Sequence, residues 1–113
     1  MSKGVRTAFV LCAGWGKRLQ PLTDQIPKPL VPICGLPLCE FALTRLAAAG
    51  VERIVINTHR LPDQFIRLFP EYPHPSRYAG VPVFFRHEPL LLDTAGGLKN
   101  VEDLLLPGPV LVH

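Results

Sequence analysis

Cysteine is scarce in this sequence and unevenly placed: three residues in 113, at Cys12, Cys34 and Cys39. The count is odd and no C-x-x-C spacing occurs, so neither a disulfide framework nor a paired-cysteine metal site is expected. Each stands among apolar neighbours, where a free thiol acts as a small hydrophobe, and the expectation is reduced cysteines in a cytoplasmic protein. No apolar run approaches about 18 residues, which argues against a membrane-spanning helix. The opening MSKGVRTAFVLCAG has no apolar stretch followed by a cleavage site and reads as mature, soluble sequence. A Lys/Arg stripe with interleaved aromatics is missing, which disfavours nucleic acid as a partner. A Ser/His/Asp or Cys/His constellation is missing too, so no side-chain nucleophile is expected. Repeats and low-complexity tracts are absent.

What is present is an apolar chain, 48% hydrophobic, of a length suited to one domain. The net charge is +3, yet residues 1–60 hold eight Lys/Arg against three Asp/Glu, and residues 61–113 hold four against six. A basic first half suits an anionic ligand, although a solvated basic face would look the same.

Val5–Leu11 is short and apolar or β-branched almost throughout, as in a strand buried on both faces. Cys12–Pro37 has no helical period and carries prolines at 21, 27, 29, 32 and 37. It reads as one long, stiffened loop, and such loops are usually functional. Pro37 suits a helix start and Gly50 its end, with Leu38, Cys39, Ala42, Leu43, Leu46 and Ala49 as the apolar stripe between them. Strands are expected at 52–58, 82–87 and 109–113. A short helix is expected at 62–69, a loop at 71–80, a further loop at 88–93 and a helix at 94–105. The alternation describes an α/β layer with a mostly parallel sheet. Ligands in such sheets bind beyond the carboxyl ends of the strands. The Gly14 loop, the Asn57–His59 segment and the Glu88–Gly97 loop all fall at those ends.

Gly14-Trp15-Gly16-Lys17-Arg18 is not a dinucleotide fingerprint, because Leu19 stands where a third glycine would be. Nor is it a Walker loop, because Arg18 rather than Ser or Thr follows Lys17. A third reading, a dinucleotide-dependent oxidoreductase, fails on the same point. Glycines let backbone N–H groups approach a phosphate closely, and Arg18 and Lys28 would add charge-assisted hydrogen bonds.

The longer pattern, A-G-x-G-x-R-L-x-P-L-T-x-x-x-P-K-P-L within Leu11–Leu38, resembles the signature of the sugar-phosphate nucleotidyltransferases. Leu92-Asp93-Thr94-Ala95-Gly96-Gly97-Leu98 resembles the base-side loop of the same family. The nearest flavour is the transferases acting on N-acetylmuramate 1-phosphate or mannose 1-phosphate. The resemblance implies a Rossmann-like three-layer, GT-A-like domain, with residues 1–113 as its N-terminal nucleotide-binding portion and the sugar-binding portion outside this chain. It implies formation of a nucleoside-diphosphate sugar and pyrophosphate from a nucleoside triphosphate and a sugar 1-phosphate. Arg18 and Lys28 would be the catalytic residues. Leu11, Ala13, Gly14, Gly16, Arg18, Lys28, Thr94, Gly96 and Gly97 would bind the nucleotide. Lys17 sits where the family varies and ranks below Arg18.

Alternatives remain at several positions. Gly96-Gly97 would equally serve a tight helix start, and Asp93 would equally be loop surface. Asn57, Thr58 and His59 could edge the sugar or satisfy local backbone groups. Trp15 could stack on a ligand or simply pack, and His74 has no assigned role. The resemblance also implies Mg²⁺, held by an aspartate following the PVLVH strand. The sequence stops at His113, so no residue here is assigned to metal, and a truncated, inactive piece of an active parent is expected. The implied partners are the two substrates, with a homo-oligomer open and no membrane. A non-catalytic nucleotide sensor or assembly subunit on the same fold is the rival reading.

Overall fold

The computed structural model describes residues 5–14 and 16–113. Its first strand, β1 (Thr7–Val10), is buried at every position. The following segment is not featureless: it makes three 3₁₀ turns at Lys17–Leu19, Leu22–Asp24 and Lys28–Leu30. It then forms a small hairpin of β2 (Pro32–Ile33) and β3 (Leu36–Pro37). Between these two strands Cys34 and Gly35 have φ of 52° and 82°, the doubly left-handed geometry of a two-residue hairpin turn.

Helix α1 (Leu38–Ala49) starts after Pro37 and ends at Gly50, as the residue pattern implies. Of the expected stripe, Cys39, Ala42, Leu43 and Leu46 are buried, whereas Ala49 is exposed. Strand β4 (Arg53–Thr58) follows. Pro62–Arg67 is a 3₁₀ segment rather than an α-helix. Its Phe65, with Phe69, Tyr72 and Phe85, builds an aromatic cluster with centroid distances of 4.9–5.9 Å.

The 71–80 stretch contains a strand that the pattern did not reveal. β5 (Ser76–Tyr78) turns through Ala79 and Gly80 and pairs antiparallel with β6 (Val81–His87). Helix α2 spans only Thr94–Asn100, and a separate 3₁₀ turn covers Glu102–Leu104. Strand β7 (Val110–Val112) closes the order.

The sheet order is β5-β6-β4-β1-β7, parallel except at the β5–β6 edge. Alternation along the strands divides the core. Ala8, Val10, Ile54, Ile56 and Val83 join α1 and the aromatic cluster on one face. Phe9 and Val55 meet Val101, Leu98 and Leu104 on the other. The result is the three-layer α/β arrangement expected of a parallel sheet. Among the described residues no helix is long and apolar enough to cross a membrane.

Candidate functional site

A cavity of about 500 Å³ opens where β1 and β7 end. Its wall includes Leu11, Cys12, Gly14, Gly16, Lys28 and Pro29 from the loop side, Cys39, Phe41, Ala42 and Arg45 from α1, and His113. Lys28 and Arg45 are the charged side chains on this wall, so its field is positive. Among the described residues, chain neighbours apart, nothing comes within 4 Å of where a Cβ on Gly14 would stand. Gly14 therefore faces open space, and its backbone is approachable from the cavity.

The loop is held in shape from behind. Gly16 has φ of 71°, a conformation that L side chains rarely adopt. A Cβ there would also lie 3.0 Å from Thr23 Cγ2 and 3.1 Å from Lys28 Cβ. Gly16 thus lets Lys28 close onto the turn. The buried Thr23 hydroxyl donates to the Gly16 carbonyl at 2.8 Å, and the Arg60 guanidinium donates to the Thr23 carbonyl.

The first amides after β1 are engaged inside the protein. Leu11 N–H donates to the His113 carbonyl at 2.9 Å. Cys12 and Ala13 N–H both donate to Asn57 Oδ1, at 2.6 and 3.2 Å. Leu11 offers the cavity its side chain, and Ala13 is almost fully buried. Neither brings a free N–H to an anion, so backbone donation to a phosphate has to start at Gly14. Cys12 and Cys39 are both buried on the same wall. Contact with the Cys39 thiol, and then burial, push the Cys12 thiol well above its ordinary range. It is packing, not a nucleophile.

Arg18 lies on the exposed 17–19 turn and is not part of the cavity wall. Thr94, Gly96 and Gly97 lie apart from that wall as well, at the start of α2, whose later residue Leu98 packs on the opposite face of the sheet. There Asp93 caps the helix, its Oδ1 accepting from Gly96 N–H at 2.6 Å. A Cβ on Gly96 would sit 3.1 Å from that same oxygen, and one on Gly97 would sit 3.1 Å from Glu88 Oε2. Both glycines have an internal packing reason. Trp15 lies outside the described residues.

A family model described as nucleotidyl transferase matches residues 7–112. The chain belongs to the nucleotidyl transferase family. It is 38% identical over 112 residues to the N-acetylmuramate alpha-1-phosphate uridylyltransferase of Caulobacter vibrioides, covering 99% of this chain and 46% of that protein. It is 38% identical over 94 residues to the mannose-1-phosphate guanylyltransferase of Mycobacterium tuberculosis, covering 83% of this chain and 25% of that protein. The chain therefore spans less than half the length of these relatives. Its fold matches a UDP-glucose pyrophosphorylase solved with UDP-glucose, with a TM-score of 0.78 at 21% identity over 96% of this chain and 44% of that one.

The metal expected by resemblance was tested against the donors of this nucleotidyl transferase chain. Mg²⁺ takes oxygen ligands, usually one or two carboxylates plus phosphate oxygens. Among the described residues no Asp or Glu side chain lines the cavity, and no group of three or more His, Cys, Asp or Glu converges. These residues do not fit a protein-built Mg²⁺ site.

Three site residues escape a reading of the sequence. Arg45 looks like any exposed helix cation until α1 is docked beside Lys28. Asn57, read above as a sugar-edge or local group, takes the local role, but towards a loop 44 and 45 residues away. Glu88, just past the end of β6, is 1% exposed and accepts a hydrogen bond from Asn57. The one available signal was polarity at the ends of two otherwise apolar strands.

Proposed function

We propose that this cavity receives the phosphates of a nucleoside triphosphate, and that the whole protein transfers the nucleotidyl group to a sugar 1-phosphate. The observation that carries the reading is the approachable Gly14 backbone beside Lys28 in a positive cavity at the carboxyl ends of parallel strands. In the reaction a sugar-phosphate oxygen attacks the α-phosphorus, the α–β bridging P–O bond breaks, and pyrophosphate leaves with that electron pair. The protein's part is positioning and neutralising charge. Lys28 is suited to the phosphate nearest the reacting bond. Arg18, exposed beside the loop, is suited to the departing phosphates after a side-chain rotation. Thr94, Gly96 and Gly97 would meet the base or ribose through their backbone.

The relatives support UTP or GTP as donor and N-acetylmuramate 1-phosphate or mannose 1-phosphate as acceptor. Divalent metal use, general in this family, belongs to the same proposal, with its ligands outside the described residues. Three free cysteines suit a reducing, cytoplasmic setting.

Titration calorimetry of the chain, shown to be folded by circular dichroism, with UTP, GTP, dTTP and CTP is the test. Binding of one or more of them is expected. A folded chain that binds none at millimolar concentration would overturn the reading. A pyrophosphate-release assay on the whole protein then separates a transferase from a nucleotide sensor, which would bind without turnover.

A further inference from the structure

The two nucleotide-facing segments lie on opposite faces of the sheet, yet one buried hydrogen-bonded chain connects them. Cys12 and Ala13 N–H donate to Asn57 Oδ1, and Asn57 Nδ2 donates to Glu88 Oε2 at 2.9 Å. Glu88 Oε1 in turn accepts from Leu92 N–H at 3.2 Å. Asn57 is 4% and Glu88 1% exposed. The ends of the Glu88 residue are fixed as well. Its N–H donates to the Thr58 carbonyl at 2.7 Å, and its carbonyl contacts His59 Nδ1 at 2.6 Å.

The chain has a direction. Two N–H donors converge on one Asn57 atom, so that atom is the amide oxygen and the NH₂ group must point to Glu88. At Glu88, both partners are donors: the Asn57 amide on one oxygen, Leu92 N–H on the other. Each Glu88 oxygen therefore serves as an acceptor. A Cβ built on Gly97 would stand 3.1 Å from Glu88 Oε2, so glycine leaves that room.

We propose that Asn57 and Glu88 are positioning residues, a buried amide–carboxylate strut that sets the Gly14 loop against the 92–97 turn so that one nucleotide can be held at both ends. This rests on the nucleotide-binding reading above. A triphosphate bound at Gly14 and a base met near Gly97 require a defined separation, and rigid groups hold it at lower ordering cost than mobile loops. The strut crosses the sheet at β4, its middle strand, where the backbone is least free to shift.

The directionality supplies the test. Glu88→Gln leaves one acceptor for two donors, so donor faces donor. Asn57→Asp sets carboxylate oxygens against each other. The combined Asn57→Asp/Glu88→Gln variant restores every pairing with the central bond reversed. The introduced aspartate still accepts from Cys12 and Ala13, the introduced glutamine NH₂ donates to it, and the glutamine oxygen still accepts from Leu92.

Nucleotide affinity is measured on the folded fraction of each variant, alongside the backbone amide NMR signals of Cys12, Ala13 and Leu92. Each single variant is expected to weaken triphosphate binding by roughly tenfold or more, and the pair to recover to within about threefold. Glu88→Gln is expected to move the Cys12 and Ala13 signals although residue 88 touches neither, and the pair to move them back. Folded single variants that bind as tightly as the native chain would overturn the proposal. So would a pair as weak as the two losses combined. Where a single variant does not fold, a pair that folds and binds supports the strut, and a pair that fails to fold overturns it. If the native chain binds no triphosphate, the functional reading fails, and the NMR signals alone decide: unmoved Cys12 and Ala13 amides refute the strut.

Discussion

Gly14 and Gly97 stand at the carboxyl ends of the same sheet, and each belongs to a glycine pair in a nucleotidyl transferase motif. Their surroundings are opposite. Among the described residues, chain neighbours apart, nothing lies within 4 Å of a Cβ built on Gly14, whereas one built on Gly97 meets the buried Glu88 carboxylate at 3.1 Å, with Asn57 Nδ2 and Phe9 Cζ behind it. In the first loop, a side chain would meet open space. In the second, glycine leaves room for the chain itself. Substitutions on the open side should alter ligand handling at constant stability, and substitutions on the packed side should alter stability first.

The largest effect is expected on the open side. Lys28→Ala should lower the turnover of the whole protein by roughly 10²-fold or more, since losing one preorganised contact to a transferring group costs about 2.7–4 kcal/mol. Lys17→Ala should cost much less, because Lys17 is not part of the cavity wall. Steady-state pyrophosphate release measures both, and equal losses would mean that the cavity is not where the phosphates sit.

Next comes the packed side. Gly97→Ala must push a Cβ into the Glu88 carboxylate and disturb Asn57 through it. A destabilisation of about 1–3 kcal/mol is expected from overpacking, read as a lower denaturation midpoint with an unchanged slope. An unchanged midpoint would erase the contrast between the two loops.

Gly14→Ala is the complementary experiment. Gly14 does not occupy the left-handed region, so alanine is tolerated there. Stability should stay level or rise by up to about 1 kcal/mol through a less flexible unfolded chain. Triphosphate affinity should nevertheless fall, by roughly tenfold, because a Cβ now stands between the backbone donor and a phosphate oxygen. A loss of stability with no loss of affinity would reverse the assignment.

The smallest effect marks where the open side stops. Cys12 lines the cavity but is packed against Cys39, and its thiol stays protonated in the folded chain above the ordinary thiol value. Above about pH 8.5 the unfolded chain releases a proton that the folded chain retains, so stability should decline as pH rises. Denaturation midpoints between pH 7 and pH 10 should fall, and Cys12→Ala should flatten that fall. An identical slope in the variant would show that Cys12 is open to solvent.

Strands β1, β4 and β6 and helix α1 could be read directly from residue order. Runs such as TAFV and RIVINT are buried on both faces because both faces are covered, and α1 carries its own start and stop in Pro37 and Gly50. The two hairpins could not. Their turns, Cys34–Gly35 and Ala79–Gly80, lack the Asn-Gly or Asp-Gly that announces a two-residue turn. The short helix expected at 62–69 is a 3₁₀ segment over Pro62–Arg67, whose Phe65 packs against Tyr72. On the cavity wall, Gly14, Gly16 and Lys28 could be singled out in advance because they stand close together along the chain. The packing role of Gly96 and Gly97 stayed one of two readings until Asp93 and Glu88 were in place.

What the residue order determined by itself was local. It includes the apolar runs that must become covered strands, the prolines that stiffen the 12–37 loop, and the glycines that leave a backbone without a Cβ. Tertiary structure alone decided which groups meet. Asn57 and Glu88 are 31 residues apart, and only the parallel pairing of β4 with β6 places their side chains at bonding distance. Hydrogen bonds reach about 3 Å and depend on direction, so neither partner nor polarity can be read from spacing along the chain. The order of strands in the sheet supplies that proximity, and it is set by packing of the whole core.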